Sequence, residues 1–293
     1  MISRKTAHFF GNVLRTRPFD LPDMVVRRAI EAVSTPPTGL ARTRFGDVRF
    51  DVDMDLHALA RKYYFHTHEM FLETVFRRML KPGSIFVDIG ANLGYWSAFA
   101  AALVGRSGEV HAFEPAPHLY PSLERLKAAN PDYHIVPRNA ACGAARGSIP
   151  MAIVRPTAAN FDNFDTNIGS NSVLPGFLDH ARGLTETIDV DMIRFDDHVA
   201  EVGLDLDRVG LIKIDVEGYE SFCLDGMTDV LGRSGRRVPI LCEVLTDPAR
   251  SPWLDGQAVI DRFRRTGYTC LDASSLKPID DTALAFEENL LCL

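Results

Sequence analysis

The strongest constraint on the fold of this chain is the segment FVDIGANLGYWSAFAAA, which spans residues 86–102. It contains, in immediate succession, an apolar strand pattern that includes Asp88, a turn marked by Gly90 and Gly94, and an alanine-rich helix pattern. Glycine allows left-handed backbone torsions and a close approach to a ligand, and the first N–H groups of a helix have no intrahelical partners. The segment therefore predicts a strand, a loop and a helix that together hold a polar or anionic group.

The loop also indicates the kind of ligand. Its pattern, D-x-G-x-N-x-G, differs from the dinucleotide fingerprint because Asn92 replaces the glycine that would admit a pyrophosphate. Asp88 can attract an ammonium group, while the loop N–H groups can face a carboxylate. A cofactor with an adenosyl head and an amino-acid tail, S-adenosylmethionine, has these parts.

A second carboxylate follows the next apolar strand. Glu114 comes directly after residues 110–113, about 26 residues beyond Asp88, where a carboxylate is expected to accept both hydroxyls of a ribose. An alternative stays open for each residue: Asp88 can cap the following turn, and Glu114 can be a solvated charge before Pro115.

Four motifs occur in the order FVDIGANLGYWS, HAFEPAP, RNAACG and LIKIDVEGYE. Together they resemble the FkbM-type family of S-adenosylmethionine-dependent methyltransferases over roughly residues 65–293, and IKIDVEGYE (residues 212–220) is the most specific of them. The resemblance implies a class I methyltransferase fold, S-adenosylmethionine as cofactor, and a hydroxyl-bearing small molecule, sugar or polyketide as acceptor. It does not specify the acceptor of this chain, and residues 1–60 match no motif of the family.

The rest of the core repeats the alternation of strand and helix. Strand patterns occur at about residues 85–89, 109–113, 133–138, 209–215 and 239–245, with helix patterns between them. This alternation predicts an α/β fold with a doubly wound, mostly parallel, Rossmann-like sheet, whose ligands lie at the carboxyl ends of the strands. The resemblance implies that two final apolar segments complete the sheet as a terminal pair, one of them antiparallel.

Two domains are predicted. Residues 1–60 form an accessory extension of helices and a small hairpin, and residues 61–293 form the methyltransferase domain. The alternating apolar residues of VRFDV, residues 48–52, indicate the hairpin. A helix from about Leu56 to Leu80 is predicted to flank the cofactor pocket.

The start of the extension is basic and carries an apolar helical face. Phe9, Phe10, Val13 and Leu14 can form that face, on a membrane surface or on a partner. The alternative is that these helices pack on the domain or on a second copy of the chain in a homo-oligomer. The basic residues, Arg4, Lys5, Arg15, Arg17, Arg27 and Arg28, outnumber Asp20, Asp23 and Glu31.

A long polar stretch lies between the third and fourth core strands. It covers about residues 156–183 and is centred on NFDNFDTNIGSNS, a composition typical of a loop. A loop of this length inside a compact domain usually covers a site or is a mobile surface segment, and both alternatives stay open.

Methyl transfer to a hydroxyl requires a group that takes the hydroxyl proton, and a carboxylate or histidine at the mouth of the pocket can do so. Asp215 ends the fourth core strand at the same sheet edge as Asp88 and Glu114, and Glu217 lies in the turn that follows. These two residues, Asp215 and Glu217, are the predicted catalytic carboxylates. For Glu220, a structural position at the positive start of a helix is preferred.

Four further residues are candidates for parts of the site. Ser97 can line the methionine end of the cofactor, and the resemblance places Asn139 beside the adenine, although a turn-forming asparagine is the alternative. His198 and Glu243 can reach the acceptor, although a histidine on a half-buried helix is usually structural. The predicted cofactor-binding residues are Asp88, Gly90, Asn92, Gly94, Glu114, Asn139 and Asp215.

Composition bears on the other functions. The net charge of −7 and the lack of a basic aromatic stripe in the core argue against a DNA partner. The basic extension keeps an RNA-directed methyltransferase open as an alternative. A non-catalytic adenosyl-binding protein and a dehydrogenase are disfavoured, because the cofactor pattern is intact and differs from the dinucleotide fingerprint.

No apolar run approaches the roughly 18 residues of a membrane helix, and the start lacks the apolar core of a signal peptide. We therefore expect no transmembrane segment and a cytoplasmic location. The five cysteines are widely separated, which predicts buried reduced thiols, and no metal site is expected.

Overall fold

The computed structural model describes residues 21–55, 59–154, 171–174, 178, 185–247, 254–279 and 287–293. The predicted apolar helical face at residues 9–14 and most of the predicted loop at residues 156–183 lie outside these ranges. Within them, no helix is both long enough and apolar enough to cross a bilayer.

The described chain contains twelve strands and nine α-helices. The strands are β1 (Leu40–Phe45), β2 (Val48–Asp53), β3 (Ile85–Ile89), β4 (Glu109–Phe113), β5 (His134–Arg138), β6 (Ala141–Cys142), β7 (Gly147–Val154), β8 (Thr185–Ile193), β9 (Val209–Ile214), β10 (Ile240–Leu245), β11 (Cys270–Asp272) and β12 (Glu287–Cys292). The helices are α1 (Leu21–Val33), α2 (Ala60–Tyr64), α3 (Glu73–Met79), α4 (Tyr95–Val104), α5 (Tyr120–Ala129), α6 (Phe195–Val202), α7 (Glu220–Asp225), α8 (Thr228–Gly232) and α9 (Gly256–Arg265), and a 3₁₀ turn covers Met70–Leu72.

Seven strands form the central sheet in the order β11-β12-β10-β9-β3-β4-β5. Strands β10, β9, β3, β4 and β5 are parallel neighbours, and β12 runs antiparallel between β10 and β11. The predicted doubly wound sheet with one antiparallel strand near the C-terminus is confirmed. The five predicted core strands lie within a residue or so of their expected positions, because each is a short apolar run flanked by turn residues.

Both faces of the sheet are covered, as the continuous burial of its central strands requires. Every residue of β3 is buried, and Phe86 packs on one face while Ile85, Val87 and Ile89 pack on the other. Helix α4 lies on the first face, and α6 to α9 supply apolar residues to the second. The five cysteines are all buried, as the sequence predicts.

A second sheet was not predicted. Strands β7 and β8 pair as a long antiparallel hairpin, from Gly147 opposite Met192 to Val154 opposite Thr185, and β6 adds to β8 in parallel. Most of the polar loop predicted at residues 156–183 lies outside the described residues, between β7 and β8 in sequence. In β8, Ile188, Val190 and Met192 alternate with exposed polar residues, a strand pattern that the sequence analysis passed over.

The accessory region contains the predicted hairpin, formed by β1 and β2. It packs on α4 through Phe45, whose ring centroid lies 5.2 Å from that of Tyr95 and 5.4 Å from that of Phe99. The prediction of one helix from Leu56 to Leu80 was wrong. In its described part the segment forms α2, the 3₁₀ turn and α3, because His66 and Glu69 adopt left-handed backbone torsions that end a helix.

Helix α1 exposes a row of apolar side chains, Val25, Val26, Ile30 and Val33. Its polar side is held to the domain by Arg27, which pairs with Glu73 of α3. The expectation of a homo-oligomer through this region stays a prediction.

Candidate active site

The glycine loop brings three strand ends together. The N–H groups of Gly90 and Ala91 both donate to the carbonyl of Phe113, and the N–H of Asp215 donates to the carbonyl of Ile89. Gly90 has φ +84°, and a Cβ built on it would lie 1.8 Å from the carbonyl oxygen of Asp215. From the sequence, Gly90 was expected to let a ligand approach the loop. The structure shows that the backbone of Asp215 lies close to Gly90.

The rest of the loop sets the start of α4. Asn92 has φ +53° and Gly94 has φ +87°, so two left-handed residues turn the chain into the helix. The Asn92 side-chain oxygen accepts a hydrogen bond from the N–H of Leu93 at 2.8 Å. The N–H groups of residues 90–94 all donate within the protein: those of Gly90 and Ala91 to Phe113, and those of the next three residues to Glu114, Asn92 and Ala91. The expectation that the loop N–H groups face a ligand is therefore corrected, and an anionic group is favoured at the first N–H groups of α4, which begins at Tyr95.

Asp88 is the most buried carboxylate of this edge, with only 1% of its surface exposed. Ser97 donates from its hydroxyl to Oδ2 at 2.6 Å, while Oδ1 has no hydrogen-bond partner within the described residues. Burial raises the pKa of Asp88 above its ordinary value. A buried carboxylate oxygen without a donor is suited to bind an ammonium group. Ser97, expected to line the methionine end, instead holds Asp88.

Glu114 is buried at the end of β4 and accepts two backbone hydrogen bonds. The N–H of Asn92 donates to Oε2 and the N–H of Ala116 donates to Oε1, each at 2.8 Å. Burial raises the pKa of Glu114 to about 7. Each oxygen keeps a second lone pair, so the carboxylate can still accept two ribose hydroxyls. Glu114 is therefore not the solvated charge of the alternative interpretation.

Asn139 supports Glu114 from the neighbouring strand end. Its side-chain N–H₂ group donates to the carbonyl of Glu114 at 2.8 Å and to that of Pro115 at 3.1 Å. This amide therefore holds the turn after β4, and its remaining oxygen can face an adenine.

Lys213 was missed by the sequence analysis. Its ammonium donates to Asp215 Oδ2 at 2.6 Å, and the residue is only 4% exposed. Burial acts to lower the pKa of Lys213, but the carboxylates of Asp215, Asp88 and Glu69 outweigh it and raise the pKa. A lysine inside the apolar run LIKID was the available signal, because a buried lysine needs a partner.

Asp215 and Glu217 lie together at the end of β9. The Asp215 side chain keeps 27% of its surface exposed although Lys213 binds one oxygen. Glu217 has φ +52° and is half-buried, and its carbonyl accepts a hydrogen bond from the Ser172 hydroxyl at 2.8 Å. Glu220 instead accepts the N–H of Gly218 at 3.0 Å, which supports the structural role preferred for it.

A described part of the polar loop, residues 171–174, contacts two turns of this edge. Ser172 binds the turn after β9, and Asn171 lies 3.4 Å from Nε2 of His118 in the segment after β4. Asn171 also accepts the N–H of Val154 at 2.9 Å. These residues therefore join β7 to the chain on both sides of the cofactor loop.

The sequence analysis also missed the pair formed by His68 and Glu69. Glu69 Oε2 lies 3.3 Å from Nε2 of His68, in the segment between α2 and α3. Burial acts to raise the pKa of Glu69, but the neighbouring His68 and then Lys213 outweigh it and lower the pKa. Glu69 is therefore charged at neutral pH.

Two weaker candidates lie elsewhere. His198 on α6 is buried, and its Nε2 lies 3.1 Å from Nδ1 of His111 on β4. Glu243 lies on β10 opposite Asn289 of β12. His198 is thus part of a buried pair under α6 and is not among the residues around Asp88 and Asp215.

The residues fit S-adenosylmethionine. The unpartnered oxygen of Asp88 suits its ammonium, Glu114 suits its ribose, and the first N–H groups of α4 suit its carboxylate. The central sheet has the strand order given above, and its neighbouring strands β3 and β4 carry Asp88 and Glu114 at their carboxyl ends. Together these features define a class I methyltransferase.

The family comparison gives the particular family. The family described as Methyltransferase FkbM domain matches residues 88–270, and the chain belongs to this family of S-adenosylmethionine-dependent methyltransferases. The resemblance seen in the four sequence motifs is confirmed.

Two curated relatives are similar to this chain. The 31-O-demethyl-FK506 methyltransferase FkbM of Streptomyces tacrolimicus is 29% identical over 192 residues, which cover 59% of this chain and 72% of the relative. Methyltransferase 1 of Beauveria bassiana (strain ARSEF 2860) is 31% identical over 153 residues, which cover 50% of this chain and 59% of the relative.

Solved structures are more distant. Methyltransferase FkbM from Methylobacillus flagellatus KT aligns with a TM-score of 0.42 and 12% identity, covering 96% of this chain and 60% of that one. Fibrillarin of Aeropyrum pernix, with natively bound S-adenosyl-L-methionine, aligns with a TM-score of 0.44 and 11% identity. The alignment covers 89% of this chain and 85% of fibrillarin.

Proposed function

We propose that this protein transfers a methyl group to a hydroxyl of a small molecule, sugar or natural product. The observation that carries the proposal is the partly exposed carboxylate of Asp215, which Lys213 holds beside the buried Asp88 at the cofactor edge. The name of the Streptomyces relative, which describes an O-demethyl acceptor, supports the same class of reaction.

We propose the same cofactor-binding residues that the sequence analysis predicted. Asp88 binds the ammonium, Glu114 binds the ribose hydroxyls, and Asn139 faces the adenine while it holds the turn at Glu114. The loop through Gly90, Asn92 and Gly94 turns the chain so that the first N–H groups of α4 face the carboxylate, and Asp215 borders the methionine end. When bound, S-adenosylmethionine supplies an activated methyl group whose leaving group is a neutral thioether.

Asp215 and Glu217 are proposed to contact the acceptor hydroxyl. Lys213 fixes one oxygen of Asp215, which leaves the other to accept the hydroxyl hydrogen bond and orient the oxygen for attack. Glu217 lies in the adjoining left-handed turn, which Ser172 holds from outside. The described residues 171–174 of the polar stretch join the turns around this place through Ser172 and Asn171.

The test uses tritium in the methyl group of S-adenosylmethionine and a panel of macrolactone alcohols, sugars and RNA. We expect label in an alcohol or sugar; label in RNA alone would replace the proposal with RNA-directed transfer. Calorimetric titration with S-adenosylmethionine and NAD checks the cofactor beforehand, and NAD binding is not expected.

The variant Asp215→Asn separates binding from transfer. It keeps the shape and one acceptor oxygen, so we expect the affinity for S-adenosylmethionine to change by less than about tenfold while kcat falls about a hundredfold. Retained kcat in Asp215→Asn would remove this residue from the proposed catalytic pair. Glu217→Gln, measured in the same way, shows whether the second carboxylate contributes.

A further inference from the structure

His68 and Glu69 bring a polar pair to the site from outside the sheet. The ring of His68 is surrounded by aromatic side chains, with centroids 4.8 Å from Tyr63, 5.5 Å from Tyr95 and 6.2 Å from Trp96. Tyr95 and Trp96 begin α4, directly after the glycine loop. The pair therefore lies over the helix start that borders the methionine end of the cofactor site.

The backbone of this pair is strained. Glu69 has φ +37° and ψ +44°, and His66, three residues before it, has φ +55°. Left-handed torsions in non-glycine residues cost about 1–3 kcal/mol each and persist only where surrounding contacts impose them. Such strain is concentrated at functional sites, so its presence here needs a reason beyond chain reversal.

The accessory region supplies the contacts that impose this conformation. Arg27 of α1 donates to the carbonyl of His66 at 3.1 Å, and Thr43 of β1 lies 2.7 Å from the His66 ring nitrogen Nε2. Arg27 also pairs with Glu73, just beyond the strained turn. Helix α1 and the hairpin thus hold the segment that carries His68 and Glu69 against the domain.

The charges of Glu69 and Lys213 also support a position of the His68–Glu69 pair at the site. Glu69 is an electrostatic neighbour of Lys213, which in turn bonds Asp215. Burial, followed by the charges of Glu69 and Asp215, raises the pKa of Tyr63, whose ring stacks on that of Tyr95 at 5.0 Å. Lys213 already occupies one oxygen of Asp215. The proton that the acceptor loses can therefore pass to a group other than Asp215.

We propose that His68 is the proton acceptor of the methyl transfer and that Glu69 is its positioning residue. The proposal rests on hydroxyl methylation as the function. With its proton on Nε2, facing Glu69 at 3.3 Å, the neutral ring keeps the lone pair of Nδ1 for the acceptor hydroxyl. The accessory region then has a catalytic purpose, which is to hold this pair at the site.

In the step, the acceptor oxygen forms its bond to the methyl carbon, and the electron pair of the broken S–C bond stays on sulfur. The hydroxyl proton passes to Nδ1 of His68, and the carboxylate of Glu69 stabilises the resulting imidazolium. The hydroxyl has one proton, so its hydrogen bond to Asp215 holds the acceptor as it binds and passes to Nδ1 of His68 for the transfer. Asp215 does not take the proton. No further reactant is required.

The pair can be tested without knowledge of the acceptor. Two analogues of S-adenosylhomocysteine are compared by calorimetry, each with nitrogen in place of sulfur, one with a 2-hydroxyethyl arm and one with a propyl arm. The arm oxygen stands for the acceptor hydroxyl. We expect the protein to prefer the hydroxyethyl arm by about tenfold, as a hydrogen bond to a charged or strongly polar group provides.

His68→Phe keeps the aromatic packing and Glu69→Gln keeps the side-chain shape, so both are expected to fold. We expect both to lose the preference for the hydroxyethyl arm while binding S-adenosylhomocysteine with unchanged affinity. Glu124→Gln, which changes an exposed carboxylate of α5 that pairs with Tyr120, is the matched control and keeps the preference. Equal binding of both analogues by the unmodified protein, or a preference retained in His68→Phe, would overturn the proposal.

Transfer assays separate this proposal from the proposed function. With an alcohol that accepts tritiated methyl, His68→Phe and Glu69→Gln are expected to lower kcat about a hundredfold with little change in KM for the cofactor. A purely structural role would instead raise that KM. If no hydroxyl accepts methyl while the arm preference depends on His68, hydroxyl methylation fails and the recognition of an oxygen by the pair stands.

Discussion

Two groups of buried titratable side chains lie on the same sheet and differ in their surroundings. The first, the carboxylate edge, consists of Asp88, Glu114, Lys213 and Asp215 at the ends of β3, β4 and β9. The second, the histidine pair, consists of His111 on β4 and His198 on α6. Each group contains a buried nitrogen or oxygen without a hydrogen-bond partner in the described chain. A missing partner therefore does not by itself mark a functional site.

The difference lies in what surrounds each group. At the carboxylate edge, left-handed turns at Gly90, Asn92 and Glu217 present backbone groups beside a partly exposed carboxylate. The ring of His198 lies instead 4.8 Å from that of Phe113 and stacks at 6.0 Å on that of Phe195, within the core. Open turns at the carboxyl ends of strands permit ligand binding, whereas closely packed rings do not.

The pKa values also shift in opposite directions. Burial raises the pKa of Glu114 to about 7, and burial, followed by His111 and Arg138, lowers the pKa of His198 to about 4. The folded state thus holds the proton of Glu114 more tightly than the unfolded chain does, so this residue lowers stability as the pH rises from about 4.5 to 7. His198 binds its proton less tightly when folded, so it lowers stability as the pH falls from about 6.5 to 4.

The largest effect is expected from Gly90→Ala, which disturbs the packing of the carboxylate edge. The added methyl group would meet the Asp215 carbonyl at 1.8 Å, so β3 and β9 must move apart. We expect a loss of about 4 kcal/mol or more in the free energy of unfolding, measured by urea denaturation. Gly203→Ala is the control, since its left-handed torsions, φ +63° and ψ +41°, cost about 1–2 kcal/mol but no atom lies within 4 Å of the added group.

Glu114→Ala tests the ligand role of the same edge. Loss of a carboxylate that accepts two hydroxyls is expected to weaken binding of S-adenosylmethionine about a hundredfold, as measured by calorimetry. Affinity of the unmodified protein is expected to increase as the pH rises through about 7, because the ionised form of Glu114 is the stronger acceptor. Unchanged affinity in Glu114→Ala would refute the ribose assignment. Glu124→Ala, an exposed change on α5, serves as control.

The smallest effect is expected at the histidine pair. His198→Phe removes a group that must gain a proton when the protein unfolds in acid, and it keeps the contacts with Phe113 and Phe195. Between pH 6.5 and 4 the variant should therefore lose about 2 kcal/mol less stability than the unmodified protein, measured by thermal or urea unfolding. Binding of S-adenosylmethionine at pH 7.5 should not change; if it does, the contrast between the two groups fails.

Sequence patterns predicted the sheet well because its strands are short apolar runs between turn residues, and β3, β4 and β9 lie where expected. They failed where tertiary contacts override local pattern. The segment from Leu56 to Leu80 has helical periodicity, but His66 and Glu69 are held in left-handed conformations by α1 and β1. The β7–β8 hairpin was missed because its two strands, each with apolar residues, pair across the long polar stretch of residues 155–184.

The sequence by itself determined the fold class, the family and the acidic strand ends at Asp88, Glu114 and Asp215, because these depend on local periodicity and motif spacing. Only the tertiary structure decided that Lys213 is buried beside Asp215, that Gly90 makes room for the chain at Asp215, and that the ring of His68 lies against Tyr95 and Trp96. The last two are contacts between residues far apart in the chain. Their distances depend on how the turns and the accessory region pack, which no local pattern encodes.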